Sequence, residues 1–507
     1  MKLLQREFSK LRNSFSKSAE IYIFLAIIVV GSVVRISVIP TTLWYGDVAR
    51  DLLVSEHIFR YHEIPNIGHV ASGTNPIFYY PPIYYFFLTL LKGPFMSIWY
   101  LTGIFVFLAV ISLGLLYLIN RQLFGVRIAM IATSLFALSP FYIDRQTTIS
   151  SMHFTLPIFL GGTLLHLTGI QRRDKNYLFV GLFLLVVASS INYAALICIP
   201  IFLLWILVKF RKLRNFFNST TFVITCFYIL YLPFAYFVTV HYGFDAFLFP
   251  FLPSSNVSPH SNVLLNIVTE YRKIVMNVFP AGTSVLMILF PIVLLVAQFR
   301  RKKTFPYLYV LGFIVLTLLL SAMKNKPTEN YYYFLMDSFF ISAICASFVD
   351  SFGFSIACVA IVSFFCWSNA SSSLALVHRE PSYQKTQTFM NAIVQKLQST
   401  DPHLIQGNQI HFQFAAENRL SNDWDGLKYS FFLEKRFGKV FRIYDHYDNL
   451  QWITPDTYIV ILCLVDYMTT PSYCLDYFKY YHPNHKLLKQ FVLEDGKRLY
   501  IFTSANK

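Results

Sequence analysis

Residues 21–51 read IYIFLAIIVVGSVVRISVIPTTLWYGDVARD. Up to Pro40 the only charge is Arg35, and this apolar run has the length that about 30 Å of bilayer hydrocarbon demands of a helix. Immediately beyond it, Asp47, Arg50 and Asp51 place two carboxylates and a guanidinium within five residues. At helical spacing Asp47 and Asp51 share a face, with Arg50 beside them. Leu43, Trp44 and Tyr45 on one flank and Leu52, Leu53 and Val54 on the other would set these carboxylates half-buried at a membrane surface, where an unpaired charge is costly. Two readings follow from spacing alone. The charges keep an outer loop soluble, or a carboxylate so placed accepts a proton from an attacking hydroxyl as a general base.

The whole chain fits that beginning. Of its 507 residues 55% are hydrophobic and 13% charged, with mean hydropathy +0.51, which points to a polytopic membrane protein. The 52 Phe and 33 Tyr gather near the ends of apolar runs, as interfacial belts do. The net charge of +16 sits in short basic loops between apolar segments, a pattern of topology rather than of nucleic-acid binding. Five of the seven Cys lie in apolar runs; Cys463 and Cys474 lie in the polar tail and could pair if that tail is extracytoplasmic. No CxxC or HExxH spacing marks a structural metal site.

Residues 1–20 form a basic leader (Lys2, Arg6, Lys10, Arg12, Lys17) expected to stay cytoplasmic, followed by a retained first span over 21–40. Residues 41–95 form a long outer loop, with interfacial helices around 77–91. Further spans are expected near 97–119, 125–143, 152–170, 176–192, 194–209, 219–240, 278–299, 305–323, 333–349 and 353–376, about eleven in all. Arg121 with Arg127, Arg172-Arg173 with Lys175, Lys209 to Arg214, and Arg300 to Lys303 then fall on the side of the N-terminus. The N-terminus is therefore expected inside and the C-terminus outside, in a plasma (inner) membrane. Residues 377–507 turn polar, with a helical pattern at 383–399, strand patterns at 409–415, 440–444, 458–464 and 499–503, and helix-like pieces at 426–437 and 471–481. This is read as an extracytoplasmic α/β domain following a membrane module at 21–376.

The acid soon after the first span, Tyr79-Tyr80-Pro81-Pro82 opening the next membrane segment, Ser139-Pro140 closing the third span ahead of Arg145, and a Tyr-rich stretch over 330–334 together resemble the GT-C glycosyltransferases. The resemblance is to the branch holding the protein O-mannosyltransferases and the lipid A aminoarabinose transferases, and it covers most of residues 20–350. It implies an inverting transfer of a sugar from a polyprenyl-phosphate donor to a glycan, lipid or protein acceptor outside the membrane, with Asp47 as the base. Where that family often has Asp-Glu, this chain has Asp47-Val48, so only Asp51 is at hand as a second catalytic acid, and a divalent cation stays an open question. Candidate donor and acceptor contacts are Arg35, Arg50, Tyr79, Tyr80, Arg145, Lys324, Glu329 and Tyr331, with Tyr332 beside them; Arg145 and Lys324 flank spans in family-like positions, and a plain interfacial role fits Tyr79 and Tyr80 better than a sugar contact. A departing lipid phosphate needs cations at the outer interface. Snorkelling accounts equally for Arg35, and better for Arg272 and Lys273. His57, His62 and His69 have no metal-ligand spacing and read as loop histidines, with Glu56 and Glu63 on a polar helix face. Asn256-Val257-Ser258 matches a glycosylation acceptor pattern. The alternatives are a transporter or flippase of lipid-linked saccharide, and a membrane-anchored assembly protein acting through its tail.

Overall fold

The structure is a computed structural model. It describes residues 2–44, 46–62, 81–95, 97–192, 195–210, 213–242, 356–379, 381–400, 410–416, 419–420, 458–463, 485–493 and 498–504, together with 268–269, 271–273, 275–276, 309, 312 and 432. The chain divides into two compact units, one of residues Met1–Thr41 with Ile64–Arg379, the other of Thr42–Glu63 with Glu380–Lys507.

The first unit is helical. Leader and first span form one unbroken helix, α1 (Lys2–Val38), ending in a 3₁₀ turn, Ile39–Thr41. Beyond the short helix α2 (Gly46–Tyr61), which belongs to the other unit, the chain continues through α3 (Ile83–Lys92), α4 (Ile98–Phe124), α5 (Val126–Leu138), α6 (Pro140–Gln146), α7 (Ser151–Arg172), α8 (Lys175–Ile191), α9 (Ile199–Phe210) and α10 (Leu213–Tyr242). A further helix, α11 (Ile356–Val377), closes the unit. Among the described residues four helices are long and apolar enough to cross a membrane, Ser18–Thr41, Ile98–Phe124, Ser151–Arg172 and Arg214–Leu232, or five if the bent pair α5–α6 is one span. This is a multi-pass membrane protein. The spans expected at 278–299, 305–323 and 333–349 lie outside the described residues, apart from Tyr309 and Gly312.

Boundaries follow local chemistry. Ser97 caps α4 by accepting from Tyr100 N, and Ser150 caps α7 by accepting from His153 N. Gly125, at φ 93°, ends α4 and begins α5, a left-handed conformation that side chains with a Cβ disfavour. The expected third span breaks at Ser139-Pro140: Pro140 has no N–H to continue the ladder, and α5 and α6 meet at 64°.

A break inside a membrane protein leaves carbonyls without their helical partners, and Arg35 takes them up. Its side chain is fully buried. Nη1 donates to Ala137 O at 2.8 Å and to Gly31 O at 3.0 Å, while Nη2 donates to Phe136 O at 3.4 Å. Nε and Nη2 converge on Gln146 Oε1 at 2.8 and 2.5 Å. All five N–H groups of a guanidinium thus have acceptors on both sides of the break. Ser373 Oγ donates to Leu138 O at 2.8 Å and Thr41 Oγ1 to Leu376 O at 2.7 Å, tying α11 to the same place.

Glycines set a close crossing of α7 and α8. A Cβ on Gly181 of α8 would lie 2.6 Å from His166 N and 2.9 Å from Gly162 O, both backbone atoms of α7. Small residues at such crossings let helix backbones touch in lipid, where no hydrophobic effect drives helices together.

In the second unit α2 joins α12 (Ser382–Thr400) and five strands, β1 (Ile410–Ala416), β2 (Arg419–Leu420), β3 (Tyr458–Cys463), β4 (His485–Val492) and β5 (Arg498–Ser504). Their order is β2-β1-β3-β5-β4, with β1 and β3 parallel and the other pairs antiparallel. Tyr383, Met390, Ile393, Val394 and Leu397 give α12 one buried stripe at helical spacing. β4 carries no clean alternation and was not expected. The patterns at 440–444, 426–437 and 471–481 lie outside the described residues, apart from Phe432.

Replacing Gly181 by Ala forces a methyl against fixed backbone and should lower the melting temperature in detergent, at a cost of about 1–3 kcal/mol. Gly114→Ala meets nothing within 4 Å and should melt no lower than the parent. Equal melting of the two variants would show that the α7–α8 crossing is not set by Gly181.

Candidate functional site

The carboxylates sit where the second unit begins. Thr42, Leu43 and Trp44 lead in without helical structure, and the segment is held by α12 and by Phe432. Trp44 N donates to Ser382 Oγ at 2.9 Å, and Ser382 Oγ donates to Thr42 O at 3.3 Å. The Trp44 ring meets Tyr383 edge-on, with centroids 5.1 Å apart, and Phe432 at 5.5 Å; Tyr383 and Phe432 are 5.0 Å apart. Burial pushes the Tyr383 phenol above its usual pKa, so it stays a neutral part of this cluster.

Gly46 then opens α2 and puts Asp47 in its first turn, where the helix dipole favours a negative charge. Arg50 Nη1 lies 2.8 Å from Asp47 Oδ1. From the same guanidinium, Nε and Nη2 donate to Asp51 Oδ1 at 2.9 and 2.7 Å. Exposure separates the acids: the Asp47 side chain is 36% exposed, Arg50 11% and Asp51 3%. Asp51 therefore anchors Arg50, Arg50 holds Asp47, and Asp47 is the carboxylate that solvent or a substrate can reach. Further along α2, Glu56 is buried and accepts from Arg60 Nε at 2.6 Å, and the His57 ring packs on Tyr61 at 4.8 Å.

No group of three or more His, Cys, Asp or Glu that could hold a metal occurs among the described residues. A divalent cation at Asp47 and Asp51 would meet a guanidinium already seated between them. With Arg50 paired to both carboxylates, the pair does not fit a metal.

The remaining sequence candidates are not on α2. Arg35 and Arg145 belong to the first unit. Arg35 neither snorkels nor pairs with an acid among the described residues, because its donors are spent on Gln146 and backbone carbonyls. Arg145 is part-exposed on α6, with its guanidinium 5.9 Å from the centre of the Phe141 ring. Arg272 is exposed. Tyr79, Tyr80, Lys324, Glu329, Tyr331, Tyr332, Glu63 and His69 lie outside the described residues. Two charged groups in the first unit escaped the sequence reading. Asp144 accepts from Arg379 Nη1 at 2.6 Å, a pair 235 positions apart with no local signal. Lys92 ends α3 fully buried, donating to Gly93 O at 3.2 Å, and reads in sequence as an ordinary basic residue closing an apolar run.

Among the described residues, membrane-length helices, a bent pair and a mixed parallel and antiparallel sheet make up a fold that solved structures share. Among solved structures, ArnT from Cupriavidus metallidurans bound to undecaprenyl phosphate matches 95% of this chain and 97% of its own, at TM-score 0.59 and 13% identity. The oligosaccharyltransferase of Archaeoglobus fulgidus, in its apo form, matches 94% of this chain and 74% of its own at TM-score 0.50 and 12% identity; its complex with zinc and sulfate gives 0.50 and 13% over 94% and 72%. No family model and no curated protein matches the sequence.

Removing Asp51 strands Arg50 in a buried site, so Asp51→Ala should cost about 3–5 kcal/mol of stability. Asp47→Ala, at the exposed end of the same guanidinium, should cost no more than ~1 kcal/mol. Melting of the two variants in detergent checks the order; a reversal would mean that Asp51 does not anchor the site.

Proposed function

We propose that this chain is a membrane glycosyltransferase that moves a sugar from a polyprenyl-phosphate donor to an acceptor hydroxyl on the extracytoplasmic side. The observation that carries this reading is the fold match along nearly the whole chain to ArnT bound to undecaprenyl phosphate. The placement of α2 supports it, since a part-exposed carboxylate follows the first span within a few residues.

In this reading Asp47 takes the proton from the acceptor hydroxyl as its oxygen attacks the anomeric carbon. The bond from that carbon to the phosphate oxygen breaks on the opposite face, so configuration inverts and polyprenyl phosphate leaves with the negative charge. Arg50 keeps the carboxylate oriented, and Asp51 keeps Arg50 in place. A departing phosphate calls for cations, for which the family resemblance offers Arg145 and Lys324; Arg35 preserves the bend that carries Arg145. Orientation and charge stabilisation supply most of the acceleration, because the protein offers no covalent intermediate. The acceptor is a glycan, lipid or protein, and the N-terminus faces the cytoplasm.

General-base catalysis accounts for about a hundredfold to ten-thousandfold in rate. Asp47→Asn should lose transfer by that factor while melting like the parent. Glycolipids and surface polymers of cells carrying the parent, the variant or neither, compared by mass spectrometry, read the outcome. Product from the variant at the parental level removes Asp47 as the base; no difference between cells with and without the parent removes the glycosyltransferase reading itself.

A further inference from the structure

A groove of about 420 Å3 runs between α4 and α7, lined by Leu118, Arg121 and Gln122 from one helix and Leu164, Leu165 and Thr168 from the other. It lies at the end of the first unit where α4 and α7 finish and α8 starts, far along both helices from their Ser97 and Ser150 caps. That end also carries the exposed cations Arg172, Arg173 and Lys175.

Polarity in the groove is ordered by depth. Arg121 and Gln122 lie within a turn of the α4 end, and Thr168 within about a turn of the α7 end, so the polar groups form the rim. Leu118 and the pair Leu164 and Leu165 lie about one turn further in on their helices. Gln122 Nε2 donates to Gln171 Oε1 at 2.8 Å and closes the groove at its polar end. The Arg121 guanidinium uses Nε on Glu20 Oε1 at 2.9 Å, and its side chain is 49% exposed. Glu20 also accepts from Tyr117 Oη at 2.5 Å, which fixes the carboxylate and through it the arginine. The two Nη groups of Arg121 have no hydrogen-bond partner among the described residues, leaving the edge of the guanidinium suited to two phosphate oxygens at once.

We propose that this groove binds an anionic glycerophospholipid of the leaflet facing that end of the bundle. The phosphate sits on the Nη edge of Arg121, and the first methylenes of an acyl chain lie along Leu118, Leu164 and Leu165. The exposed cations nearby favour a net negative headgroup over a zwitterionic one. The site is independent of the transfer reaction and of Asp47.

The test uses the purified full-length protein in detergent, titrated with phosphatidylglycerol, phosphatidylcholine or inorganic phosphate, with native mass spectrometry for stoichiometry and melting for affinity. The expected result is one tightly held phosphatidylglycerol per chain and a rise in melting temperature that neither phosphatidylcholine nor inorganic phosphate reproduces. Arg121→Gln should bind it roughly tenfold more weakly or worse, the equivalent of one lost charge-assisted hydrogen bond. Leu165→Trp fills the apolar depth with Arg121 intact and should also lose the bound lipid; it decides alone if the arginine variant does not fold. Arg173→Gln, outside the groove, should stay within about twofold of the parent, as loss of one exposed charge predicts. The proposal is overturned if Leu165→Trp binds like the parent, if inorganic phosphate matches the lipid, or if Arg173→Gln weakens binding as much as Arg121→Gln.

Discussion

A polar group in lipid must find its partner inside the protein, and in the helical unit that demand converges on Arg35. Pro140 interrupts the third hydrophobic segment and frees carbonyls at Phe136 and Ala137. A fully buried guanidinium from the first helix reaches across to both and to Gln146 on the far side of the break. The bend thereby becomes a fixed feature rather than a hinge. The short helix α6 projects from it with Arg145 and with Asp144, whose carboxylate pairs with Arg379 just past the end of α11. A cation buried in the last turn of a membrane helix is tolerated here because its donors are all met by oriented carbonyl dipoles.

The acids after the first span obey a different rule. Three charges within five residues would be ruinous if each were buried alone, yet one guanidinium satisfies both carboxylates and grades their exposure from 36% to 3%. That gradient turns a charge cluster into a site with one reachable carboxylate and two supporting groups. The helix carrying them is held by Trp44, Ser382, Tyr383 and Phe432, so residues more than 300 positions downstream position it.

Much of this was legible in the chain. Apolar length marked the spans that begin at Ile98 and Ser151, because a bilayer imposes a length that composition alone displays, whereas the helix from Lys175 is shorter than a span demands. The spacing of Asp47, Arg50 and Asp51 announced a shared helical face, and the alternating runs near 410, 458 and 499 announced three of the strands. β4 was missed because most of it is exposed on an edge, so no buried face imposes alternation. Arg35 could be seen as an odd charge in a span, but not as a clamp: its acceptors are backbone carbonyls and a glutamine more than 100 positions away, which no local pattern encodes.

Sequence by itself determined that the chain crosses a membrane many times and that acids stand at the exit of its first span, since hydropathy and helical period act over neighbouring residues. Tertiary structure alone decided which carboxylate is reachable, that α2 belongs with the terminal sheet rather than with the helices beside it in the chain, and that a proline break is held by a distant arginine. Those outcomes depend on which groups fill each other's hydrogen bonds and apolar gaps in space, and such partners are chosen by packing, not by adjacency.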